Sequence, residues 1–542
     1  MIAQRSQSIE RLKSEKFDLL VIGGGVTGAG IALDAASRGM KTALVEKGDF
    51  ASGTSSKSTK LIHGGLRYLK QLEIGLVREV GRERAIVHQL APHLVRSEKM
   101  LLPIVKGGTF GKFSTSLGLW AYDYLAGVKG SDRRRMLDRT ATLTAEPLLR
   151  STGLIGGGLY AEYRTDDARL TIEIIKAAVR QGAICLNYFP AEGFVYENGR
   201  TGGAFCRDMI TGEPTTVAAS FVVSAAGPWV DDLRRKDNSL KGKRLFLSKG
   251  VHIVVPKERL PLRQSVYFDV PDGRMLFAIP RHRATYIGTT DTPFKGNPDH
   301  VFADVADVRY LLDGANAMFP DAQLSLADVE STWAGLRPLI FEEGKSAGEM
   351  SRKDEIFEAE SGLLSIAGGK LTGYRKMAER IVNLVAGKLN AQGSQTFGPC
   401  FTDKIPFKEK PMKNLREVAE FQKSIDSKAR QMGLPKHTAA YLVENYGESA
   451  LQIISKAAAL DLPPEPALLK SELAFCLLRE LVVKPADFFE RRTGRLYFDM
   501  PAVQRNLEPI LADFAHHFQW SDEQLAAEKN EMETLMWNLR NF

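Results

Sequence analysis

The sequence is short of cysteine and of long hydrophobic runs, and each shortage argues against a class of protein. Its 542 residues include four cysteines, which lie far apart and form no CxxC pair, so a zinc or iron–sulfur site is not expected. No uninterrupted apolar run approaches about 18 residues, so no transmembrane helix is expected. The polar N-terminus lacks the apolar core of a secretory signal. Because scattered thiols fit a reducing compartment, we predict a cytoplasmic protein without a metal site.

The remaining composition is that of a globular protein with a moderate positive charge. Hydrophobic residues make up 44% and charged residues 25% of the chain, which is long enough for several domains. The formal net charge of +8 suits an anionic substrate or an anionic membrane surface, and it suits a plain basic protein equally well. The sequence contains no nucleic-acid-binding motif and no internal repeat. Nucleic acid is therefore not an expected partner.

The stretch FDLLVIGGGVTGAGIALDAASRGMKTALVEKGDF, residues 17–50, has the pattern of a βαβ unit. DLLVI is a short apolar run rich in β-formers, GIALDAASRG is a helical segment, and KTALVE is a second strand. Gly23, Gly25 and Gly28 have G-x-G-x-x-G spacing, and Glu46 ends the second strand. Because all these parts agree, the stretch predicts a dinucleotide-binding site.

Each part of this unit has a physical reason in dinucleotide binding. In order, the glycines permit a tight turn, a close approach of the backbone to a pyrophosphate, and close packing of helix against strand. The helix N-terminus at Val26 and Thr27 offers unpaired N–H groups and positive dipole charge to the phosphates. Glu46 can accept hydrogen bonds from a ribose. The unit leaves FAD and NAD open, although its position near the start of the chain is typical of many flavoproteins.

The segment KGDFASGTSSKSTKLIHGGLRYL follows Glu46 at once and is rich in hydroxyl and small residues. A surface linker can have this composition, but a chain that leaves the ribose-binding acid would cross the cofactor. Hydroxyls and backbone N–H groups there can bind the pyrophosphate, and two adjacent glycines let the main chain lie against a flat ring. The cofactor contacts predicted in this segment are Lys47, Thr54, Ser55, Ser56, Leu61, His63, Gly64 and Gly65.

Seven motifs in a fixed order identify a family resemblance. They are ASGTSSKSTKLIHGGLRYL with the glycine motif before it, TDDARL at 165–170, AAGPWVDD at 225–232, KGVHIVVP at 249–256, YIGTTDTPFKGNP at 286–298, WAGLRPL at 333–339 and GGKLTGYRKMAE at 368–379. Together they resemble the FAD-dependent glycerol-3-phosphate dehydrogenases, the aerobic, quinone-linked enzymes. The resemblance covers nearly the whole chain, more loosely toward the C-terminus, and is far more specific than one dinucleotide motif.

The resemblance implies a Rossmann-type α/β FAD-binding domain, an antiparallel-sheet substrate cap like that of the glycine and D-amino-acid oxidases, and an all-α C-terminal domain. It implies non-covalent FAD, because no histidine or cysteine stands in a recognisable flavinylation context. The implied reaction oxidises sn-glycerol 3-phosphate to dihydroxyacetone phosphate by hydride transfer from C2 to flavin N5, with a membrane quinone as electron acceptor. The oligomeric state stays open, with a homodimer as one option.

The resemblance also implies a substrate site. Arg67 and Tyr68 would face the substrate phosphate, and Arg337, Arg352 and Lys370 are further candidates. A phosphate dianion needs charge-assisted hydrogen bonds, but we expect only two or three of the four cations to contact it. Arg337 and Lys370 are also assigned to catalysis. Without the family, a solvated charge and a core-edge aromatic would be the better explanation of Arg67 and Tyr68.

His252 lies in the strand-like run LFLSKGVHIVVP and has two interpretations. A lone histidine in an apolar strand is usually a core residue. In the family that the chain resembles, however, the matching histidine lies near the flavin and substrate. The free pKa of histidine lies near the working pH, so a neutral His252 could take the proton from the C2 hydroxyl as the catalytic base.

Two further turns are implied cofactor contacts. The small residues Ala226 and Gly227 follow a predicted strand, where larger side chains would strike the cofactor. The second turn, in LLSIAGGKLTGYRKMAERI, would aim helix N–H groups at the pyrimidine end of the flavin. Its implied contacts are Gly369, Lys370, Leu371 and Thr372. Relatives often carry Asn, Thr and Thr where this chain has Ser224, Ala226 and Gly373, so three side-chain hydrogen bonds of the family are not expected here.

The expected FAD-binding domain is discontinuous, because the cap is inserted between its pieces. The expected bounds are 1–90, 155–245 and 355–395 for the FAD-binding domain, 91–154 and 246–354 for the cap, and 410–542 for the helical C-terminal domain. VYFDV, MLFAIP and ATYIGTT predict cap strands, and CFTDKIPFKEKPM at 400–412 predicts a linker. FFERRTGRLYF, in the C-terminal domain, has no predicted catalytic role, and we interpret that domain as a structural or interaction module.

Other functions of this fold stay open. One is an oxidase that passes electrons to oxygen, although the insertion usual in such enzymes is missing. Another is an amino-acid or hydroxy-acid oxidase, and a third is a non-catalytic FAD-binding sensor or assembly module. A quinone acceptor would place the enzyme on the inner face of the cell membrane. Residues 105–127, with Arg133–Arg135 after them, are the candidate contact with anionic lipid, and a helix buried in the cap is the competing interpretation.

Overall fold

The fold is built from two sheets, helices around them and a helical C-terminal region. The computed structural model describes residues 2–62, 74–108, 111, 115–116, 118–120, 132–341, 354–393 and 395–542. Its strands are β1 Phe17–Ile22, β2 Thr42–Val45, β3 Leu61–Ile62, β4 Arg96–Val105, β5 Arg135–Asp138, β6 Leu154–Arg164, β7 Ile184–Leu186, β8 Ala191–Glu197, β9 Arg200–Arg207, β10 Pro214–Ser224, β11 Leu245–Pro256, β12 Ser265–Asp269, β13 Met275–Arg281, β14 Ala284–Gly288, β15 Thr292–Pro293, β16 Ser331–Ile340, β17 Asp354–Glu358 and β18 Leu364–Gly368.

The helices fall into one group that flanks the sheets and one group that forms the C-terminal region. The first group is α1 Ile2–Ser14, α2 Val26–Ser37, α3 Ile74–Leu90, α4 Arg139–Ala145, α5 Asp167–Arg180, α6 Val230–Lys236, α7 Val305–Met318 and α8 Tyr374–Ala391. The second is α9 Leu415–Gln431, α10 Thr438–Tyr446, α11 Ser449–Ala458, α12 Pro464–Arg479, α13 Arg495–Phe498, α14 Met500–Phe518 and α15 Asp522–Asn538, with a π-helical turn at Asp487–Arg492. None of the described helices has the length and apolar character needed to cross a membrane.

The first sheet has the order β17-β18-β10-β1-β2-β7, with β9 and β8 attached beside β10. The neighbours from β18 to β7 are parallel, so their carboxyl ends meet at one edge. β1 is almost entirely buried, because helices cover this sheet and its apolar run FDLLVI packs between layers. Turns that follow β1, β10 and β18 therefore meet at the same edge, which is where parallel sheets place their ligands.

The second sheet has the order β15-β11-β14-β13-β12-β4-β6-β3, with β16 beside β11 and β5 beside β6. Its pairs are antiparallel except for β12 with β4. The predicted strands VYFDV, MLFAIP and ATYIGTT correspond to β12, β13 and β14. The expected bounds place β6 in the FAD-binding domain, but β6 pairs along its length with β4 and so belongs to this sheet. The local sequence pattern does not show that β6 belongs to the second sheet, because this depends on its pairing with the distant strand β4.

The C-terminal helices share one hydrophobic core with the second sheet. Trp333 of β16 and Tyr286 of β14 pack in the same buried cluster as Tyr497 and Phe498 of α13. The predicted linker at 400–412 is also packed against the rest of the protein. Lys408 is buried and donates to Glu173 at 2.9 Å. A segment rich in proline and lysine is therefore a fixed connection here, because one of its lysines, Lys408, has a buried partner.

Candidate functional site

A cavity of about 1620 Å³ lies at the carboxyl edge of the first sheet and extends along the second sheet. Turns after β1, β2, β10 and β18 line one part of it, and residues of β11 and β16 line another. The predicted site residues on its wall are Gly23, Gly25, Val26, Thr27, Glu46, Lys47, Thr54, Ser55, Leu61, Ala226, Gly227, His252, Arg337, Gly369, Lys370, Leu371 and Thr372. Residues from distant parts of the chain thus meet in one space.

The glycine turn after β1 has no room for side chains. Gly23 has a φ of +117°, and a Cβ there would lie 2.6 Å from the carbonyl oxygen of Ala225. A Cβ on Gly28 would lie 1.9 Å from the carbonyl oxygen of Gly23. Gly28 is not on the cavity wall, so its role is to let α2 approach the turn. The spacing read from the sequence is therefore explained by backbone contacts.

The N-terminus of α2 faces the cavity beside a hydroxyl-rich segment. The backbone N–H of Val26 donates to Ser55 Oγ at 3.0 Å, and a Cβ on Gly25 would lie 3.1 Å from the same oxygen. Thr54 also lines the cavity, and its hydroxyl donates to the carbonyl of Leu336 at 2.7 Å. Ser56 is buried away from the cavity, unlike its neighbours. The segment therefore holds the N-terminus of α2 in place, and its residues Thr54 and Ser55 form part of the cavity wall that a ligand can contact.

Glu46 is held in a fixed orientation at the end of β2. Its carboxylate accepts from the N–H of Gly24 at 2.6 Å and from the N–H of Gly48 at 2.9 Å. Burial raises the pKa of Glu46, while these two N–H groups act in the opposite direction. Next to it, Lys47 donates to Asp299 at 2.5 Å and lies 4.0 Å from the ring centroid of Trp229. An oriented carboxylate beside a cationic, aromatic wall is suited to a ribose and its base.

The turn after β18 lines the opposite end of the cavity. Gly369 has a φ of +77°, and a Cβ there would lie 2.4 Å from Met377 Sδ. The turn continues through Lys370 into a short 3₁₀ segment and then α8, so helix N–H groups point toward the cavity. The glycine turn, the Glu46 carboxylate and this turn form a cradle in which added Cβ atoms would collide with the backbone or with packed side chains. The residues present therefore fit FAD along the length of the cavity.

His252 lies on β11 and is almost fully buried, with 1% of its surface exposed. Its Nε2 atom is 3.0 Å from Thr59 Oγ1, and its ring stacks on Trp333 at a centroid distance of 4.6 Å and an angle of 11°. Burial, helped by the charges of Arg337 and Lys60, lowers the pKa of His252 well below its usual value. The imidazole is therefore neutral at neutral pH.

Arg337 lies on β16 and extends its guanidinium into the same cavity. The guanidinium donates to the carbonyl of Thr290 at 3.1 Å, to Thr289 Oγ1 at 3.0 Å and to Asp291 Oδ1 at 3.3 Å. These contacts hold one side of the planar group in a fixed position. Arg337 is thus oriented before any ligand binds, and its charge is shared with the carboxylate of Asp291.

Two glycines that sequence reasoning missed make room for these side chains. A Cβ on Gly250 would lie 2.4 Å from Arg337 Nη2, and a Cβ on Gly288 would lie 2.0 Å from His252 Cδ2. Gly288 is the cross-strand partner of His252, so the histidine lies over a strand that has no side chain at that point. The quoted motifs KGVHIVVP and YIGTTDTPFKGNP contain both glycines. The positions of these two glycines within their motifs do not indicate this role, because the contacts that require glycine are made with neighbouring strands.

Part of the predicted site lies outside the residues that the structure describes. His63, Gly64, Gly65, Arg67, Tyr68 and Arg352 lie outside the described residues, as does most of the predicted membrane contact. Among the described residues of that segment, Leu119 is buried and Trp120 is 55% exposed. The residues that sequence reasoning left unassigned but that border the cavity include Thr59, Trp229, Gly250 and Asp291.

Comparison with known proteins shows which family this chain resembles in sequence. Residues 18–375 match the model of the FAD dependent oxidoreductases, and residues 416–525 match that of the C-terminal domain of alpha-glycerophosphate oxidase. The aerobic glycerol-3-phosphate dehydrogenase of Bacillus subtilis (strain 168) is 48% identical over 524 residues, which cover 96% of this chain and 94% of that protein.

Two solved structures show how far the similarity in fold extends. The glycerol-3-phosphate dehydrogenase from Bacillus halodurans, complexed with FAD, is 44% identical with a TM-score of 0.84, and the match covers 99% of this chain and 98% of that one. Glycine oxidase from Bacillus cereus ATCC 14579 is 20% identical with a TM-score of 0.51, and the match covers 73% of this chain and 100% of that one. The second similarity concerns the fold alone.

Proposed function

The chain belongs to the FAD-dependent oxidoreductases, and within them to the aerobic glycerol-3-phosphate dehydrogenases, and we propose that it oxidises sn-glycerol 3-phosphate to dihydroxyacetone phosphate and passes the electrons to a quinone. The family predicted from the seven motifs is confirmed, and so are the FAD cofactor and the glycine-oxidase-like fold. The acceptor, the chemical step and the roles of single residues are the proposed part.

The observation that carries the proposal is a buried imidazole and an oriented guanidinium on the wall of one cavity. Arg337 is close enough to His252 for its charge to lower the pKa of that histidine. A polyol phosphate needs both groups, because its phosphate requires a cation and its hydroxyl requires a base. A substrate with C2 near the imidazole could place its phosphate toward Arg337 and Lys370, both of which line the cavity. Arg67, Tyr68 and Arg352 stay proposed phosphate contacts.

FAD, when bound in this cradle, supplies the acceptor for the hydride that leaves C2. The chain's own task is to remove the proton from the C2 hydroxyl as the carbonyl forms. His252 is the imidazole among the described lining residues, and a lowered pKa keeps it unprotonated at neutral pH. Because the protonated form is inactive as a base, kcat/KM should stay flat through neutral pH. It should fall only below the ordinary pKa of histidine, which is about 6.5.

Replacing His252 tests this assignment. In His252→Gln, we expect anaerobic bleaching of the flavin by glycerol 3-phosphate to slow by about 10²–10⁴-fold, the usual contribution of a general base, while FAD stays bound. His516→Gln is the matched control, because His516 is exposed on α14. If His252→Gln keeps both the rate and the pH profile of flavin reduction, His252 is a core residue and the proposed base is wrong.

The electron acceptor needs a separate measurement, because an oxidase of this fold would share the same reductive step. We expect the reduced enzyme to be reoxidised much faster by menadione than by dissolved oxygen in stopped-flow mixing. Faster reoxidation by oxygen would assign the chain to the oxidases instead. A quinone acceptor lies in the bilayer, and none of the described helices could cross a membrane. The enzyme would therefore have to bind at the inner face of the membrane to reach it. Residues 105–127 and Arg133–Arg135 are the proposed contact.

A further inference from the structure

The hairpin between β12 and β13 reaches the rim of the cavity. Its strands pair up to Asp269 and Met275, and the residues between these two form its tip. In that tip, Asp272, Gly273 and Arg274 line the cavity. The side chains of Asp272 and Arg274 are 41% and 42% exposed. A residue that lines the cavity and is also open to solvent lies where the cavity opens, so Arg274 places a cation at the rim.

Strand register places Arg274 at the same end of the second sheet as Arg337. His252, Gly288 and Phe277 lie opposite one another on β11, β14 and β13. β11 and β13 run in the same direction, because each is antiparallel to β14. The β11 partner of Arg337 precedes His252 by four residues, and Arg274 precedes Phe277 by three. Both arginines therefore lie on the same side of the row that contains His252, which is the side where the phosphate is proposed to bind.

The guanidinium of Arg274 is held from two directions. Its Nε donates to Asp272 Oδ2 at 2.7 Å, and its Nη2 lies 2.6 Å from the same oxygen. Its Cζ lies 4.1 Å from the ring centroid of Tyr310, on α7. Within the described part of the chain, no residue accepts a hydrogen bond from Nη1. One edge of an oriented guanidinium is thus available, and a guanidinium forms strong charge-assisted hydrogen bonds with phosphate.

Arg274 lies outside Arg337 on the way into the cavity. The side chain of Arg337 is 22% exposed, against 42% for Arg274. Their strands, β16 and β13, are separated by β11 and β14, which corresponds to about 14 Å between the two backbones. Over that distance, one phosphate group that enters from solvent meets Arg274 first and Arg337 second.

Asp291 connects the two cations electrostatically. It follows β14, lines the cavity and accepts from Arg337 Nη1 at 3.3 Å. Burial acts to lower the pKa of Arg274, but Asp272, Tyr310 and Asp291 together raise it. Arg274 therefore stays charged, and Asp291 is close enough to both arginines to act on each of them.

We propose that Arg274 is the outer phosphate-binding residue of this site, which captures the phosphate of glycerol 3-phosphate at the rim and directs it toward Arg337. This inference rests on the proposed function. It concerns binding alone, so no bond forms or breaks at Arg274. A charge at the rim of a binding site changes mainly the association rate and its salt dependence. The limiting rate of flavin reduction should therefore be independent of Arg274, whereas the substrate concentration that is needed to reach it should not.

Replacing Arg274 in the holoenzyme tests this role. In Arg274→Gln, we expect the glycerol 3-phosphate concentration for half-maximal anaerobic flavin reduction to rise by about 3–10-fold, with an unchanged limiting rate. Arg274→Lys keeps the charge and should recover most of the loss. Added salt should narrow the gap between Arg274→Gln and the wild type, because exposed charges are screened. Arg259→Gln is the matched control, because Arg259 also forms an exposed pair with an aspartate, Asp328, and lies outside the described lining of the cavity.

Glycerol separates phosphate capture from a general effect on the cavity. It has no phosphate, so its half-maximal concentration should be the same in Arg274→Gln and the wild type. An equal rise for both substrates, a lower limiting rate, or no change with glycerol 3-phosphate would each overturn the inference. If glycerol 3-phosphate does not bleach the flavin of the wild type at all, the proposed function fails instead, so the two failures are distinguishable.

Discussion

Asp49 joins the cofactor-binding half of the protein to its C-terminal domain, and its replacement by asparagine is the most informative test of that junction. The carboxylate is fully buried. It accepts from Arg491 Nε at 2.6 Å, from Arg492 Nη1 at 2.6 Å and Nη2 at 2.9 Å, and from Asn187 Nδ2 at 2.9 Å. Asp49→Asn keeps the shape of the side chain. It leaves two buried guanidinium groups without the charge that they share.

The size of the effect can be estimated in two independent ways. Removing one partner of a buried ion pair costs about 3–5 kcal/mol. Arg492 keeps the carbonyl of Glu480 at 2.8 Å, which favours the lower end of that range. Burial raises the pKa of Asp49, but the charges of Arg492 and Arg491 outweigh it and hold the pKa at about 2. Against an unfolded pKa of about 3.9, that difference corresponds to about 2–3 kcal/mol.

The sign of the pH dependence follows from the lowered pKa. A carboxyl whose pKa is lower in the folded protein stabilises the fold above its unfolded pKa of about 3.9. That contribution is lost as pH falls through the folded value of about 2. The free energy of unfolding in urea should therefore be about 3 kcal/mol lower in Asp49→Asn at pH 7, and the gap to the wild type should narrow toward pH 3.

The control for this measurement is an exposed ion pair. Asp426 pairs with Arg430 on the surface of α9, where the arginine is 74% exposed, and exposed pairs contribute less than about 1 kcal/mol. Asp426→Asn should therefore leave the urea unfolding curve almost unchanged. If Asp49→Asn costs no more than Asp426→Asn at pH 7, the buried junction does not stabilise the protein in the way that its contacts indicate.

Four further predictions follow from the site. Gly28→Ala should weaken FAD binding by at least about 10-fold in a fluorescence titration of apoprotein, because the new Cβ would lie 1.9 Å from the carbonyl oxygen of Gly23; unchanged affinity would show that α2 can move. Arg337→Ala and Lys370→Ala should each raise the KM for glycerol 3-phosphate by about 30–150-fold, since a lost charged hydrogen bond costs about 2–3 kcal/mol. Glycerol should be nearly indifferent to both changes, and an equal loss on both substrates would assign these residues to the flavin. Acid precipitation should leave the yellow colour in the supernatant, whereas colour in the pellet would mean covalent FAD. Anionic liposomes should carry the protein upward in a flotation gradient at low salt, and less so when Arg133–Arg135 are neutralised; protein that stays at the bottom would argue against a membrane contact.

The dinucleotide-binding unit could be predicted from the sequence because its signals are local. The strand, the three glycines, the helix and Glu46 all lie within residues 17–50, and the structure places them as β1, α2 and β2 with Glu46 on the N–H of Gly24. Short-range periodicity and turn chemistry determine elements of this kind. The three predicted cap strands are in place for the same reason.

What the sequence could not show depends on partners far along the chain. Gly288 carries no local signal, and its role becomes visible only when His252 lies over it from the neighbouring strand. From the sequence, Lys408 has the pattern of a solvated linker residue. In the structure it is buried and donates a hydrogen bond to Glu173, which is 235 residues away. The membership of β6 in the second sheet likewise depends on its pairing with β4. Pairing and burial of this kind are properties of the assembled fold.

The C-terminal domain contacts both ends of the site without entering the cavity. Its segment 487–498 supplies Arg491 and Arg492 to Asp49, which lies three residues after Glu46. The same segment ends in α13, whose aromatic residues pack on Trp333 at centroid distances of 5.2 and 5.7 Å. Trp333 in turn stacks on His252. Because one buried segment supports both the loop after Glu46 and the Trp333 ring behind His252, we expect a displacement of that segment to disturb the proposed cofactor and substrate contacts together.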